Sequence, residues 1–267
     1  MATTLSSKNA AQGARGFGKL LKDWRQRRGH SQLALALHAR ISARHLSFLE
    51  TGRSEPSREM VLLLSRALNL PLRETNTLFE AAGFARPYSE MSLSDKETHN
   101  ANEALQLILE NHNPHPAVVM DRYWNILMAN DSAQSFFATL LADTVDAPGN
   151  VIRLMLHQQW LRPYVVNWPP VAAALLARVQ REAVCGIIDE QTQELLDEVL
   201  EYPDVRDVMS RANPMGGHQF TPILPIEFRK PPLHARYFST VTTLGTPQDI
   251  ALQELRIECF FPWGDAQ

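Results

Sequence analysis

Five short amphipathic segments, each bounded by residues that favour helix ends, follow one another through the first third of the chain. The first has apolar residues at the i, i+3, i+4 and i+7 spacing of one helix face: Phe17, Leu20, Leu21 and Trp24. Later segments are predicted to begin at capping residues Ser31, Ser42 and Ser57, with a fifth from about Arg73 to Ala82. Such short helices are marginal alone in water, so the pattern predicts a compact all-α domain.

Charge separates this region from the rest of the chain. Residues 1–86 hold 14 Lys and Arg against 6 Asp and Glu, a net charge of +8. The remaining residues hold 12 against 23, a net charge of −11. Two units with different partners are indicated, and the basic unit is suited to a polyanion such as nucleic acid.

The second and third predicted helices are separated by only a few residues. Two helices joined by so short a turn meet at a steep angle, and this arrangement can place the later helix in the major groove of DNA. A small helical bundle without a DNA role has the same pattern, so periodicity alone leaves both interpretations open.

Residues 25–68, RQRRGHSQLALALHARISARHLSFLETGRSEPSREMVLLLSRAL, resemble the helix-turn-helix of phage-repressor-like (XRE-type) regulators. The resemblance implies that Gln32 contacts a phosphate and that Arg25 and Glu50 form an internal ion pair. It also implies a groove-facing side on the third helix, formed by Ala43, Arg44, Ser47 and Phe48.

The chemistry of these residues suits that role. Arg44 can donate two hydrogen bonds to a guanine edge, although contact with a phosphate is the alternative. Ser42 and Arg53 have the donors expected of phosphate contacts. His45 either contacts the DNA backbone or packs on the flank of its helix. Arg40 occupies a turn position that is usually Gly, so positive φ or a different turn is expected there.

The remainder of the chain combines strands and helices. Strands are predicted at 117–120, 124–128, 220–228, 237–244 and 255–261. Helices are predicted at about 95–110, 130–141, 150–157, 170–183, 190–201 and 204–211, the second capped by Asn130. This order favours an α+β domain with a mostly antiparallel sheet.

Four segments of this region, DRYWNILMAN, VIRLMLHQQWLR, NWPPVAAALLARVQREA and STVTTLGTPQDIALQELRIECFFP, resemble the ligand-binding domain of MmyB-like regulators. The resemblance implies a PAS-like domain that holds a small apolar effector, with a fatty acid as the best candidate. The expected organisation is a flexible amino terminus (1–14), a helix-turn-helix domain (15–86), a linker and connecting helix (87–113) and a PAS-like ligand-binding domain (114–263).

Candidate effector contacts come from aromatic residues in excess of what a small core needs, since ligand pockets are apolar with a few placed polar groups. The aromatic residues in excess are Trp124, Phe136, Phe137, Trp160, Trp168, Phe238 and Phe260, and the candidate contacts among them are Trp124, Phe136, Phe137, Trp160 and Phe238. Arg153 and His157 lie four apart on one helix face and could hold a ligand carboxylate. For each aromatic residue the alternative is core packing, and for Arg153 it is an ion pair within the protein.

Enzymatic function is not expected, because the chain has no Gly-rich phosphate loop, GxSxG or HExxH motif. Glu254 and Glu258 are four apart in the last strand region. Each is interpreted as the acidic member of a structural ion pair, and the alternative is a catalytic dyad. No metal or cofactor is expected. With two cysteines, no apolar run of membrane-spanning length and no secretory signal, the chain is expected to be a cytoplasmic protein without membrane contact.

The sequence therefore predicts a transcription regulator that binds double-stranded operator DNA as a homodimer, since one helix-turn-helix contacts one half-site. The alternative is a DNA-binding protein whose second domain only dimerises or docks a partner. A binding module without a DNA role is disfavoured by the third-helix pattern.

Overall fold

The computed structural model describes residues 16–93, 95–185, 189–211 and 223–264. The predicted flexible amino terminus, residues 1–14, lies outside these ranges. The described chain divides into two compact units. The first, here called the helical unit, comprises residues up to Met91 together with Thr246–Gln253. The second, the sheet unit, comprises Ser92–Gly245 and the residues from Glu254 onward.

The helical unit contains the five helices expected from the sequence. They are α1 (residues 16–27), α2 (Gln32–His38), α3 (Ala43–Glu50), α4 (Arg58–Ala67) and α5 (Leu72–Ala81). Ser31, Ser42 and Ser57 each accept a hydrogen bond from the backbone N–H three residues ahead, as a capping serine does. The three predicted amino-terminal caps are confirmed.

Apolar faces of these helices meet in one core. Phe17, Leu21 and Trp24 of α1 are buried there with Leu46 and Leu49 of α3. Gly18 allows α1 and α3 to approach closely, because a Cβ at that position would lie 2.5 Å from the Leu49 carbonyl oxygen. The orientation of α3 is therefore set by backbone contact with α1 as well as by side-chain packing.

The turn between α2 and α3 contains a residue with positive φ, one of the two outcomes expected for Arg40. Arg40 has a φ of 52°, in the left-handed region that costs a non-glycine residue roughly 1 kcal/mol or more. Its side chain is exposed. The usual turn geometry is thus kept, and a cationic side chain replaces glycine beside α3.

Residues 246–253 complete the helical unit, although they lie between two strands in the sequence. The Gln253 Oε1 accepts a hydrogen bond from the Leu72 N–H at 2.7 Å, where Pro71 offers α5 no side-chain cap. Asp249, 3% exposed, accepts one from the Met91 N–H at 2.9 Å. A short helix, α12 (Ile250–Glu254), forms here. The sequence did not predict it, because five residues hold too little periodicity.

The sheet unit is built on five antiparallel strands. They are β1 (Ala117–Met120), β2 (Ile126–Ala129), β3 (Ile226–Lys230), β4 (Leu233–Thr242) and β5 (Arg256–Pro262), in the order β2-β1-β5-β4-β3. The predicted α+β class and antiparallel sheet are confirmed. The second strand begins later than predicted, because Trp124 has a φ of 68° and cannot extend it. Part of the predicted strand at 220–228 falls outside the described residues.

The described part of this unit also has six α-helices: α6 (His99–Asn111), α7 (Asp131–Leu140), α8 (Val151–Leu156), α9 (Trp168–Cys185), α10 (Glu190–Leu200) and α11 (Val205–Arg211). Asn130 caps α7 as predicted, through its side-chain oxygen. Side chains from α7 to α11 form one core with the inward residues of the strands. No described helix has the length and apolarity needed to cross a bilayer.

Candidate functional sites

Helix α3 divides into a buried side and an accessible side. Leu46, Leu49 and Glu50 are buried. The residues predicted to face DNA are exposed or partly exposed: Ser42, Ala43, Arg44, His45, Ser47 and Phe48. Two exposed cations, Arg40 before the helix and Arg53 after it, flank this accessible side in the sequence.

Local contacts orient the accessible side chains. The Arg44 guanidinium carbon lies 5.3 Å from the centre of the Phe48 ring, so the two side chains point the same way. The Ser42 Oγ accepts a hydrogen bond from the His45 N–H at 3.1 Å. After the helix, the Phe48 carbonyl accepts the Arg53 N–H at 2.8 Å and fixes the backbone of the turn.

A buried ion pair ties α3 to α1. The Arg25 Nε donates to Glu50 Oε1 at 2.6 Å and its Nη2 donates to Oε2 at 3.0 Å. The hydrogen bonds that Arg25 donates to Glu50 raise the pKa of Arg25. The Gln32 Nε2 also donates to Glu50 Oε2, at 2.8 Å. The ion pair implied by the resemblance is therefore present, and the amide predicted to contact a phosphate is held by the same carboxylate.

In the sheet unit, side chains of α7, α8 and four strands surround a narrow cavity, which occupies about 460 Å³ including the space at its mouth. Its lining residues are Pro116, Val118, Phe136, Phe137, Val151, Leu154, Leu161, Phe228, Tyr237, Glu258 and Phe260.

Phe136 is the centre of the aromatic part of this wall. Its ring makes edge-to-face contacts with Phe228 at 5.0 Å, Tyr237 at 5.8 Å and Phe137 at 5.9 Å between centroids. Burial raises the pKa of Tyr237. The phenol is therefore neutral at physiological pH, and the wall is apolar over most of its area.

Only two of the seven predicted effector contacts, Phe136 and Phe137, line this cavity. Phe238 instead stacks on Phe261, with centroids 5.2 Å apart. Trp124 is 2% exposed and packs in the core, with the Arg178 guanidinium carbon 4.3 Å from its ring centre. Core packing, the alternative weighed for each aromatic residue, accounts for the buried position of Trp124.

The remaining three predicted contacts belong to a separate cluster. Arg153 makes three hydrogen bonds of 2.6–3.0 Å to the Glu198 carboxylate, and these lower the pKa of Glu198. The His157 ring lies 4.2 Å from the Trp160 ring and 4.7 Å from the Tyr202 ring, centroid to centroid. None of these five residues lines the cavity, and Arg153 has the ion-pair role that was its alternative interpretation.

Glu258 lines the cavity, although the sequence predicted no ligand contact for it. It was interpreted as an ion-pair partner on the same strand face as Glu254. Glu254 ends α12 instead and pairs with Arg122 at 2.9 Å. Glu258 lies in β5, with its Oε2 3.7 Å from the Arg178 Nη1. Alternation in the last strand was the available indication that Glu258 and Phe260 share a face.

Neither site resembles a metal centre. Within the described ranges, no three His, Cys, Asp or Glu side chains are grouped so as to hold a metal ion. The His112 Nε2 lies 2.8 Å from the Phe260 carbonyl oxygen, so this ring is engaged by the sheet.

Comparison with known proteins identifies both parts of the chain. The family described as "MmyB-like transcription regulator ligand binding domain" matches residues 101–267, and the family described as "Helix-turn-helix" matches residues 21–74. No curated protein matches the chain.

Two crystal structures of the clp gene regulator ClgR from Corynebacterium glutamicum are similar to part of it. One is 34% identical, with 27% of this chain and 88% of that chain covered and a TM-score of 0.24. The other is 25% identical, with 38% and 95% covered and a TM-score of 0.24. On the match to residues 101–267, more than half of its length, the chain belongs to the MmyB-like transcription regulators, which places a DNA-binding helix-turn-helix and a ligand-binding domain in one chain.

Proposed function

We propose that this protein is a cytoplasmic one-component regulator that binds operator DNA through α3 and responds to a small apolar effector held in the cavity of its PAS-like sheet unit. It acts by binding and carries out no catalysis. The observation on which this rests most is the combination of an accessible, cation-flanked α3 with an apolar cavity in the second unit.

The charge and geometry of the helical unit support the DNA-binding half. Arg44 is exposed on the first turn of α3 and shares its side with Phe48, which offers an apolar surface for a thymine methyl. Phosphate contacts would fix the register of the helix, and the exposed Arg40 and Arg53 and the partly exposed Ser47 hydroxyl have donors for them. Gln32 retains one amide hydrogen for a phosphate, since the other already binds Glu50.

The DNA-binding half is tested by exchanging Arg44. Operators are first selected from random DNA, and dissociation constants are then measured by fluorescence anisotropy over a series of salt concentrations. Arg44→Ala should weaken specific binding by about 1–3 kcal/mol and leave the salt dependence of non-specific binding unchanged. Arg66→Ala, which removes the same charge from the exposed side of α4, is the matched control.

The result that contradicts this assignment is equal weakening of specific and non-specific binding by Arg44→Ala. That outcome would make Arg44 a phosphate contact, with a salt slope smaller by about one. A selection that recovers no enriched sequence would remove the DNA-binding proposal altogether.

The cavity supports the effector half. A core filled with side chains would favour the alternative, in which the second domain only dimerises or docks a partner. The apolar lining of the cavity beside Phe137 is the feature that supports an effector. An effector changes operator affinity only if it binds the DNA-bound and free forms of the homodimer unequally.

Mass spectrometry of the denatured protein tests whether an apolar compound, such as the fatty acid implied by the resemblance, co-purifies. Phe137→Trp, which fills the cavity, should abolish the response of operator binding to that compound while preserving operator affinity without it. Loss of both properties together would indicate misfolding of the sheet unit, whereas an unchanged response to the compound would show that the cavity is not the effector site.

A further inference from the structure

Strands β4 and β5 are paired neighbours in the sheet, with Thr242 opposite Ile257 where the pairing ends. Most loops between neighbouring antiparallel strands have about two to five residues. Residues 243–255 join these two strands, and residues 246–253 of that segment belong to the helical unit. This segment, here called the β4–β5 connection, therefore leaves the sheet, is held in the helical unit and returns to the sheet as β5.

The middle of the β4–β5 connection is buried and hydrogen-bonded to the segment that follows α5. Asp249 and Ile250 are both buried. The Asp249 Oδ2 accepts a hydrogen bond from the Met91 N–H at 2.9 Å. The Ile250 N–H donates to the Ser89 carbonyl oxygen, also at 2.9 Å. Because a buried carboxylate without donors is costly, these contacts fix the connection in place.

The end of the β4–β5 connection is fastened to α5. The Gln253 Oε1 accepts a hydrogen bond from the Leu72 N–H at 2.7 Å. Further along α5, Leu78 and Phe79 share one core with Leu46 of α3. A displacement at Gln253 therefore acts on a helix that packs in the same core as the buried side of α3.

The two strands that the connection joins both line the cavity. Tyr237 lies in β4, and Glu258 and Phe260 lie in β5. Glu258 follows Gln253 by only five positions. Strand β5 is paired on both sides, with β1 and with β4, so it moves as a stiff element. A change at the cavity wall therefore reaches the start of β5 with little loss.

We infer that the β4–β5 connection couples the cavity to the DNA-binding helix: displacement of β5 passes through Gln253 and Asp249 to α5 and to the core behind α3. This inference rests on the proposed function, because it assumes that α3 binds operator DNA. Coupling between two sites is reciprocal, so operator binding must alter β5 by the same free energy by which an effector alters operator binding. The coupling is therefore measurable with operator DNA as the only ligand.

The experiment measures hydrogen exchange of peptides that cover β5, by mass spectrometry of the purified full chain with and without saturating operator DNA selected from random sequence. We expect operator DNA to change the exchange rates of β5 by about fivefold or more, the lower end of typical allosteric coupling. The double variant Asp249→Asn, Gln253→Ala should bind operator DNA and lose this change. Ser57→Ala, the matched control, removes the cap of α4 in the same unit and should retain the change.

The outcomes separate this inference from the proposed function. Unchanged exchange of β5 in the wild-type protein bound to operator DNA would refute the coupling and leave DNA binding intact. A full change in the double variant would also refute it, because the coupling would then follow another route. If the wild-type protein binds no DNA, the proposed function fails and the inference with it.

The melting temperature reports whether the double variant folds. If it does not, Gln253→Ala alone replaces it, since this variant removes one of the contacts and leaves Asp249 in place. A reduced change in β5 of the single variant supports the coupling, and an undiminished change counts against it.

Discussion

Two glycines in α1, two residues apart, should respond in opposite ways to the same substitution. A Cβ on Gly18 would lie 2.5 Å from the Leu49 carbonyl oxygen and 2.7 Å from the Glu50 carbonyl oxygen. These are backbone atoms of α3, so no side-chain rotation relieves the overlap. A Cβ on Gly16 meets no atom within 4 Å.

The magnitudes follow from these distances. Overpacking costs about 1–3 kcal/mol, and rigid backbone neighbours favour the upper end of that range. Alanine offsets about 1 kcal/mol through its higher helix propensity. Gly18→Ala should therefore lower the free energy of unfolding of the helical unit by about 2 kcal/mol. Gly16→Ala should raise it by up to about 1 kcal/mol.

Hydrogen exchange of peptides from α1 and α3, followed by mass spectrometry over a denaturant series, measures that free energy separately for the helical unit. Operator affinity gives a second measure, since α3 must move away from α1 to accept the methyl group of the Gly18 variant. Equal stability of the two variants would refute the close packing of α1 on α3. It would also remove the argument that backbone contact orients α3.

Three further predictions concern polar contacts. Glu50→Ala should destabilise the helical unit by about 3–5 kcal/mol because it leaves the Arg25 charge buried and unpaired, whereas a loss below 1 kcal/mol in the same exchange measurement would show that water reaches the pair. Gln253→Ala should lower the stability of α5 by about 1 kcal/mol, because the Leu72 N–H loses its acceptor. Hydrogen exchange of the first turn of α5 measures this loss. The hydrogen bond from Arg153 lowers the pKa of Glu198 in the folded protein. The pair therefore stabilises the fold fully at pH above the unfolded-state pKa of about 4.3, and this stabilisation is lost as the pH falls through the lower folded-state pKa. Acid titration of the melting temperature should show a smaller decrease over that window in Glu198→Gln, and identical profiles would contradict the assignment.

The helical unit could be predicted from sequence almost residue by residue. Its helices are short, their apolar residues recur at local spacing, and a serine begins three of them. The accessible side of α3 follows from the same periodicity, because Leu46 and Leu49 must face the core. The contact of Gln253 with α5 could not be predicted, since 181 positions separate its side chain from Leu72.

The sequence predicted an apolar cavity but identified few of the residues that line it. Aromatic residues indicated an apolar site, yet Tyr237 lines the cavity and its neighbour Phe238 stacks on Phe261. Successive residues in a strand point to opposite faces, so a shift of one position moves a side chain from one face of the sheet to the other. Register is decided by pairing between distant segments, and composition does not reveal it.

The sequence by itself determined what depends on neighbours in the chain: the helix ends, the groups that α3 presents and the antiparallel class of the sheet. The tertiary structure alone decided which groups meet across long separations. It paired Arg153 with Glu198, brought residues 246–253 into the helical unit, and set Glu258 in the wall of the cavity. The physical reason is that local geometry follows from short-range sterics and hydrogen bonding, whereas the partner of a buried charge is chosen by the packing of the whole unit.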